Sequence, residues 1–426
     1  MDSFLLIVDS FGTVLFLART YWWVYLPIFL FFIAQMSFQN YTRFQYLLSL
    51  KWVLLELKVP KEVKRSPKAM EQVFAGLHAV LAKIKWHEKI FKGKVQDWYS
   101  LELVGANGET HIYVRIREEY KNLLESQIYA QYPGAEIIEV PDYMNELVSS
   151  LPDERYDLQG AELMLNKEDA YPIRTYPEFE EKSPGKDEDI KRIDPLASMA
   201  ELLSTLHAGE RICVQILISP ANDDWIKRGQ AVIDKIMGKE SVAQSGFLSD
   251  AVFAIDKAIS NIGPAPADGI DKKPEKKEEK KKVDLSPGKQ DVLKAIEKSF
   301  DKLGFWTGIR FIYVAPRESF HKAHLASIVG TFRQYSSQNL NGFKVNTKST
   351  TSAKWPFKKS KEFQKKIAIL QKYRERKFHI KSLVKYVLNI EELATIYHFP
   401  DIGVKSPLLP RVEAKKGEPP VGLPLS

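Results

Sequence analysis

Cysteine is nearly absent from this chain: Cys213 stands alone among 426 residues. A single thiol excludes an internal disulfide framework and a cysteine-ligated zinc site, and it suits a reducing compartment. Cys213 falls inside the apolar run Ile212–Ile218, where an inert core thiol is expected. Also absent are the phosphate-cradling and nucleophile motifs G-x-x-x-x-G-K-[ST], G-x-G-x-x-G and G-x-S-x-G, which argues against a P-loop nucleotide site and a nucleophile elbow. Histidine is scarce, with eight residues. His321 and His324 stand three apart on an expected helix, but no third metal ligand accompanies them and they read as exposed. His111 falls in a hairpin with no evident acid or base partner. No catalytic, cofactor-binding or metal-ligating residue is assigned, and no enzyme activity is expected.

Charge is missing from Tyr21–Phe38, YWWVYLPIFLFFIAQMSF, and the uncharged stretch runs on to Thr42. About 20 apolar residues cross a bilayer, so residues 1–45 are expected to hold a membrane anchor with a span over about 20–42. Tyr21, Trp22 and Trp23 at one end, with Phe38 and Tyr41 at the other, read as interfacial anchors. Pro27 is tolerated in such a helix. Residues 4–18 form an interfacial helix or the start of one tilted span. Asp2 and Asp9, with no A-x-A site, argue against a cleaved signal peptide. The far flank carries Arg43, Lys51, Lys58, Lys61, Lys64, Arg65 and Lys68 against Arg19 on the near side. The positive-inside rule then predicts a single-pass cell-membrane protein with its N-terminus outside and its body cytoplasmic.

Beyond the anchor the fold class expected is α+β. Over residues 50–145 the pattern gives a strand (Trp52–Val59), a helix opened by Ser66-Pro67 with an apolar face from Met70 to Ile84, and two strands around Ala106-Asn107-Gly108. A second helix (Glu118–Tyr132) and a last strand (Ala135–Val140) follow. Ser-Pro and Asn-Gly are start and hairpin signals with a mechanism. The order β-α-β-β-α-β is the split βαβ, ferredoxin-like arrangement. Residues 155–350 have similar texture, with strands at Ala161–Leu165, Ile212–Ile218, Ile309–Val314 and Phe343–Val345. The helices there follow Asp194-Pro195, span Trp225–Met237 and Val292–Leu303, and run from Pro316 to about Tyr335. A further helix is expected over Ser241–Ile262. An insertion of about 263–287 interrupts this second ferredoxin-like module. Within it Asp271–Lys282 has no aliphatic or aromatic residue and is expected to be a disordered, solvated tether.

The formal net charge is +8, and it is local: between Lys354 and Lys385, 12 Lys/Arg stand against Glu362 and Glu375. Residues 354–400 form a basic helical segment in which cations alternate with Trp355, Phe357, Phe363, Tyr373 and Phe378. Lys358, Lys359, Lys365, Lys366, Arg374, Arg376 and Lys377 are the candidate contacts. They suit lipid, protein or nucleic acid, and a solvated basic face on a helix packed against the core accounts for the same pattern. Asn389 caps a short helix with Glu391 and Glu392 in its first turn, and residues 401–426 form an extended proline-rich tail.

Four stretches carry a resemblance: Pro60–Glu71 with its helix, Gln127–Glu136, Asp194-Pro195 leading to Gln215–Pro220, and Glu391–Pro400 followed by Val404–Pro407. Together they resemble the N-terminal, non-motor half of membrane-anchored conjugation or type IV secretion ATPases, in a bacterial branch catalogued as a domain of unknown function. The likeness runs over nearly the whole chain from about Trp52. In those ATPases a proline-rich passage leads into a motor with a Walker A loop; here Glu418-Pro-Pro420 stands at that place and no such loop is found. The resemblance therefore implies a non-catalytic, membrane-tethered scaffold that docks a separate P-loop ATPase, and it carries over no catalytic residue. The alternative is a membrane-anchored nucleic-acid-binding module using residues 354–385. The lipid bilayer is the partner that the anchor implies, and self-assembly into a homo-oligomer is compatible with the resemblance.

Overall fold

In the computed structural model, residues 19–60, 65–147, 152–182, 190–238, 286–379, 383–400 and 411–412 are described. The first element, α1 (Trp22–Ser49), holds 28 residues with Pro27 inside it. At 1.5 Å per residue it is about 42 Å long. It is long and apolar enough to cross a membrane, and the window that qualifies is unburied. Trp23, Phe29, Phe31 and Phe32, on several sides of it, are exposed, an uncovered apolar surface unusual for a helix in water. Segment 4–18 lies outside the described residues.

The body is a mixed helix and strand structure built on one large, almost wholly antiparallel sheet. Its first half contains β1 (Trp52–Pro60), β2 (Tyr99–Ala106), β3 (Glu109–Arg117) and β4 (Glu136–Val140), in spatial order β4-β1-β3-β2. The second half contains β5 (Tyr156–Leu165), β8 (Arg211–Pro220), β9 (Gly304–Pro316) and β10 (Phe343–Val345), in order β10-β5-β9-β8. A small ribbon of β6 (Glu180–Lys182) and β7 (Ile190–Arg192) stands apart. The halves meet where β2 pairs antiparallel with β8, from Tyr99↔Ile218 to Ala106↔Arg211. Read outward from that seam, each half presents its second, third, first and fourth strand in turn. Both halves thus belong to one continuous sheet. Two further strands join it: β11 (Tyr386–Asn389) on β9, and β12 (Arg411–Val412), parallel to β1.

One face of the sheet carries α2 (Lys68–His78), α4 (Lys121–Gln131), α5 (Ala197–Ser204), α8 (Ala323–Arg333) and α10 (Ile390–Ile396). Phe74, Leu124, Leu203, Phe332 and Leu393 are buried there in one cluster with Leu55, Leu101, Ile216 and Phe311 of the strands. The other face is covered by α9 (Lys358–Glu375) and the turn Tyr143–Asn145. There Ile369, Leu370, Tyr373, Tyr143 and Met144 meet Val104, Cys213, Ile312 and Val314. Strands between two covered faces read as nearly continuous apolar runs, which is why Ile212–Ile218 shows no alternation. Two more helices, α6 (Asp224–Ile236) and α7 (Pro287–Phe300), pack on each other through Ile233, Leu293 and Ile296.

Several boundaries differ from the sequence expectation. The helix expected to run to Ile84 ends at His78, because the Gln96 side chain accepts from Ala82 N and donates to Val80 O, turning the chain. The helix expected from Pro316 begins at Ala323, since β9 continues to Pro316 opposite Tyr156. Glu118–Tyr120 forms a 3-10 turn ahead of α4. The short helix α3 (Trp86–Phe91) was not anticipated. His111 is corrected: its Nδ1 lies 2.6 Å from Glu56 Oε1, a partner 55 residues away in sequence that the β1–β3 register brings alongside. The expected helix at 241–262 and all of the tail but residues 411–412 lie outside the described residues, as does the insertion expected over about 263–287 except for Ser286 and Pro287, which cap and begin α7.

Candidate functional site

Antiparallel register partners project on the same face of a sheet. Glu56, Tyr113, Glu102, Gln215, Arg310 and Glu162 are successive partners on β1, β3, β2, β8, β9 and β5. They form a polar line across six adjacent strands of the sheet, and its middle lies under the C-terminal turn of α9. The last carbonyls of a helix lack helical partners. Here Gln215 Nε2 donates to Tyr373 O at 3.1 Å, and Arg310 Nη1 donates to Lys372 O. Lys372 Nζ reaches Glu162 Oε1 at 3.4 Å. The helix is thereby fixed to the seam between the two halves.

Arg376 closes α9 with a left-handed φ of 49°. Its guanidinium is fully buried and grips two carboxylates: Glu102 at 2.6 and 3.0 Å, and Asp142 at 2.6 and 3.0 Å. Tyr143 donates to Glu102 Oε2 at 2.6 Å and meets the Tyr373 hydroxyl at 2.9 Å. Burial alone would push the Glu102 carboxyl up, but the Arg376 charge and the bonds from Arg376, Ser100 and Tyr143 hold it below the usual carboxylate range. The same balance holds Asp142 down. Burial weakens Arg376 while Glu102 strengthens it, and the net direction is up. These acids face their own base, so the cluster serves as an internal clamp.

The structure separates the basic residues singled out from the sequence. Arg374 donates to Leu147 O at 2.9 Å and to Met144 O at 3.3 Å, Lys366 pairs with Asp157 at 2.6 Å, and Lys377 pairs with Glu375 at 3.2 Å. Lys365 donates to Ser352 O at 2.9 Å. With Arg376, these charges are used within the fold. Lys358 and Lys359 are exposed, as are Lys354 and Lys361. They surround Trp355 and Phe357, which are 88% and 77% exposed. Beside them an open groove of about 420 Å³ is lined by Ala353, Lys354, Trp355, Lys361 and Lys365. An aromatic pair so uncovered on a folded body, ringed by cations, has the residue types common at protein contact surfaces. Tyr21, Trp22, Trp23, Phe38 and Tyr41 all lie exposed along α1.

A second buried polar cluster surrounds the start of α10. Asn389 Oδ1 accepts from Glu391 N and Glu392 N, and Glu392 Oε2 accepts from Asn389 N, completing a capping box. Glu392 Oε1 also accepts from Ile173 N at 2.8 Å. Lys302 pairs with Glu391 and lies 3.5 Å from Glu71. Burial raises the Glu392 carboxyl to about 7 against its accepted backbone bonds. Cys213 is buried, and burial pushes its thiol up to about 12. No cluster of three metal-ligating side chains occurs among the described residues.

Two features escaped the sequence reading. The first is the polar line, whose signal is a charged or amide residue in each otherwise largely apolar strand: Glu102 in SLELV, Glu162 in AELML, Gln215 in VQILI and Arg310 in IRFIYV. The second is the stretch Lys83–Lys94, KIKWHEKIFKGK, which holds five lysines and two large aromatics close to the anchor. No curated protein matches this sequence. A family model described as Domain of unknown function (DUF8128) matches residues 34–408, from within α1 through the body. With most of its length inside that match, the chain belongs to the DUF8128 family.

Proposed function

We propose that this protein is a non-catalytic, membrane-tethered scaffold whose body docks a separate partner at the cytoplasmic face. The observation that carries the reading is the pair Trp355 and Phe357, uncovered at 88% and 77% and flanked by Lys354, Lys358, Lys359 and Lys361, on a body continuous with α1. Exposed aromatics beside cations are the residue types that anchor protein interfaces. The arginine-rich end of the same helix is spent on the seam, so the N-terminal end is left to face outward. Orientation rests on the lysines and arginines that follow α1.

Each half of the sheet is a ferredoxin-like module in this reading, supported by the strand order β4-β1-β3-β2 and its repeat across the seam. That fold hosts many activities and assigns none. The partner class is a separately encoded P-loop ATPase of a secretion or conjugation-like machine, on the strength of the sequence resemblance alone. The same surface favours a second reading, because aromatic stacking and lysine–phosphate contacts also bind single-stranded nucleic acid.

The test is affinity purification of the detergent-solubilised full chain, with identification of what accompanies it. An ATPase recovered near stoichiometrically, and lost with Trp355→Ala/Phe357→Ala, supports docking. Nucleic acid recovered instead, with steep salt dependence, moves the assignment to the second reading. Recovery unaltered by the double variant sinks both uses of this surface.

A further inference from the structure

The foot of α1 carries a built cleft. It has a volume of about 450 Å³ and is lined by Gln39, Asn40 and Arg43 of α1, by Lys89, Gly93, Lys94 and Gln96 of the α3 region, and by His379. No carboxylate lines it. Glu88, outside the lining, is 3.8 Å from Lys94 and also accepts from Lys85 N to cap α3. Burial drives the His379 imidazole down to about 4, so it is neutral there near pH 7. Gln96 is committed to Ala82 and Val80. The charged residues that line the cleft, Arg43, Lys89 and Lys94, are all cations, and Glu88 offsets only one of them.

Its walls are held in place. Thr42 Oγ1 donates to Ile90 O at 3.1 Å, and Arg43 Nη2 donates to His379 O at 3.0 Å. Gly93, with φ +63°, sits so close that an added Cβ would lie 2.3 Å from Arg43 N and Thr42 O. These contacts tie α3 and residues 93–96 to the end of α1.

Depth follows from helix geometry. Gln39, Asn40 and Arg43 come within five residues of Phe38, the last apolar residue of the run, so they lie within about 7.5 Å along the axis. Each headgroup layer is roughly 5–7 Å thick. Phe91 meets Phe38 with ring centroids 6.3 Å apart, and Trp86 and Phe91 are 69% and 60% exposed. Large aromatics at that level are interfacial anchors, so α3 lies at the membrane surface and the cleft opens among headgroups.

We infer that this cleft binds the phosphate of an anionic phospholipid headgroup, with Arg43, Lys89 and Lys94 as the charged contacts. The inference rests on the membrane-anchored reading of α1. It makes the junction of anchor and body a lipid-selective site, distinct from the basic surface at Trp355.

The experiment is native mass spectrometry of the full chain, delipidated in detergent and re-exposed to equal phosphatidylglycerol and phosphatidylcholine. Alkaline extraction of membranes is run on the same proteins. The wild type is expected to retain phosphatidylglycerol preferentially. Lys89→Glu/Lys94→Glu, which changes side chains at the cleft mouth, should cut that retention on the order of tenfold. Lys358→Glu/Lys359→Glu should leave it unchanged. Equal retention of both lipids, or retention untouched in Lys89→Glu/Lys94→Glu while the protein stays integrated, overturns the headgroup site and leaves the anchor standing. Wild-type protein released by alkali overturns the anchor and the site together. Inorganic phosphate that displaces the lipid with no preference between headgroups would make the cleft a free-anion site and overturn the lipid assignment.

Discussion

Arg376 Nε and Nη2 hold the two oxygens of Glu102 at 2.6 and 3.0 Å, although the residues stand 274 apart in sequence and neither is exposed. Glu102 lies on β2 at the seam between the halves, and Arg376 ends the helix that crosses it. Removing one member of a buried pair leaves the other charge uncompensated, at a cost of roughly 3–5 kcal/mol. Arg376→Met is expected to destabilise by that amount in chemical denaturation. Adding Glu102→Gln should return part of the loss, since one orphaned carboxylate disappears. A loss below about 1 kcal/mol for Arg376→Met would contradict the clamp.

The exposed pair Trp355 and Phe357 behaves oppositely. Surface truncations away from packing change stability by about 0.5 kcal/mol or less. Trp355→Ala/Phe357→Ala should keep the wild-type unfolding midpoint while partner recovery falls at least about tenfold. A lowered midpoint would mean that the aromatics pack within the fold.

Two buried groups give opposite pH dependences. Glu392, raised to about 7 from an ordinary 4.5, keeps its proton longer in the folded state. Its contribution, at most about 3 kcal/mol, is full below pH 4.5 and is lost as pH rises through 7. His379, lowered to about 4 from 6.5, contributes fully above pH 6.5 and is lost as pH falls through 4. Thermal unfolding from pH 4 to 8 should show the two partly cancelling between 4.5 and 6.5. Glu392→Gln gives up one accepted bond at every pH, about 1–2 kcal/mol, and its deficit against wild type should shrink as pH rises toward 8. His379→Gln should gain on wild type as pH falls. Parallel curves for either variant would refute the assigned shift.

Gly93 is held at φ +63° against the backbone of Thr42 and Arg43. Gly93→Ala meets both a left-handed backbone and a main-chain clash that no side-chain movement relieves. Faster hydrogen exchange across residues 83–94 and the end of α1 is expected, with β2 and β8 still protected. Unchanged exchange would mean that α3 is not docked on α1.

Cys213, the one thiol, is buried on the α9 face with its pKa pushed up to about 12. The thiolate is the reactive form. At pH 8 a maleimide should leave the native protein unlabelled and modify it stoichiometrically in denaturant. Rapid native labelling would contradict the cover that α9 provides.

What the sequence determined by itself is local. The uncharged run of Tyr21–Phe38 made α1. Asn107-Gly108, with φ 52° and 83°, made the β2–β3 hairpin. Asn389 with Glu392 made the α10 cap, and helical spacing made α2. Each depends on residues within a few positions of one another, where backbone preference and one apolar face suffice. The tertiary structure decided the rest. Pairing of β2 with β8 joins residues more than a hundred positions apart, and either strand would satisfy its hydrogen bonds with another partner. Nothing local tells Arg376, which is buried, from Lys358, which is exposed on the same helix. That distinction depends on which turn of α9 lies over the Glu102–Gln215 line, and hence on how the two halves met.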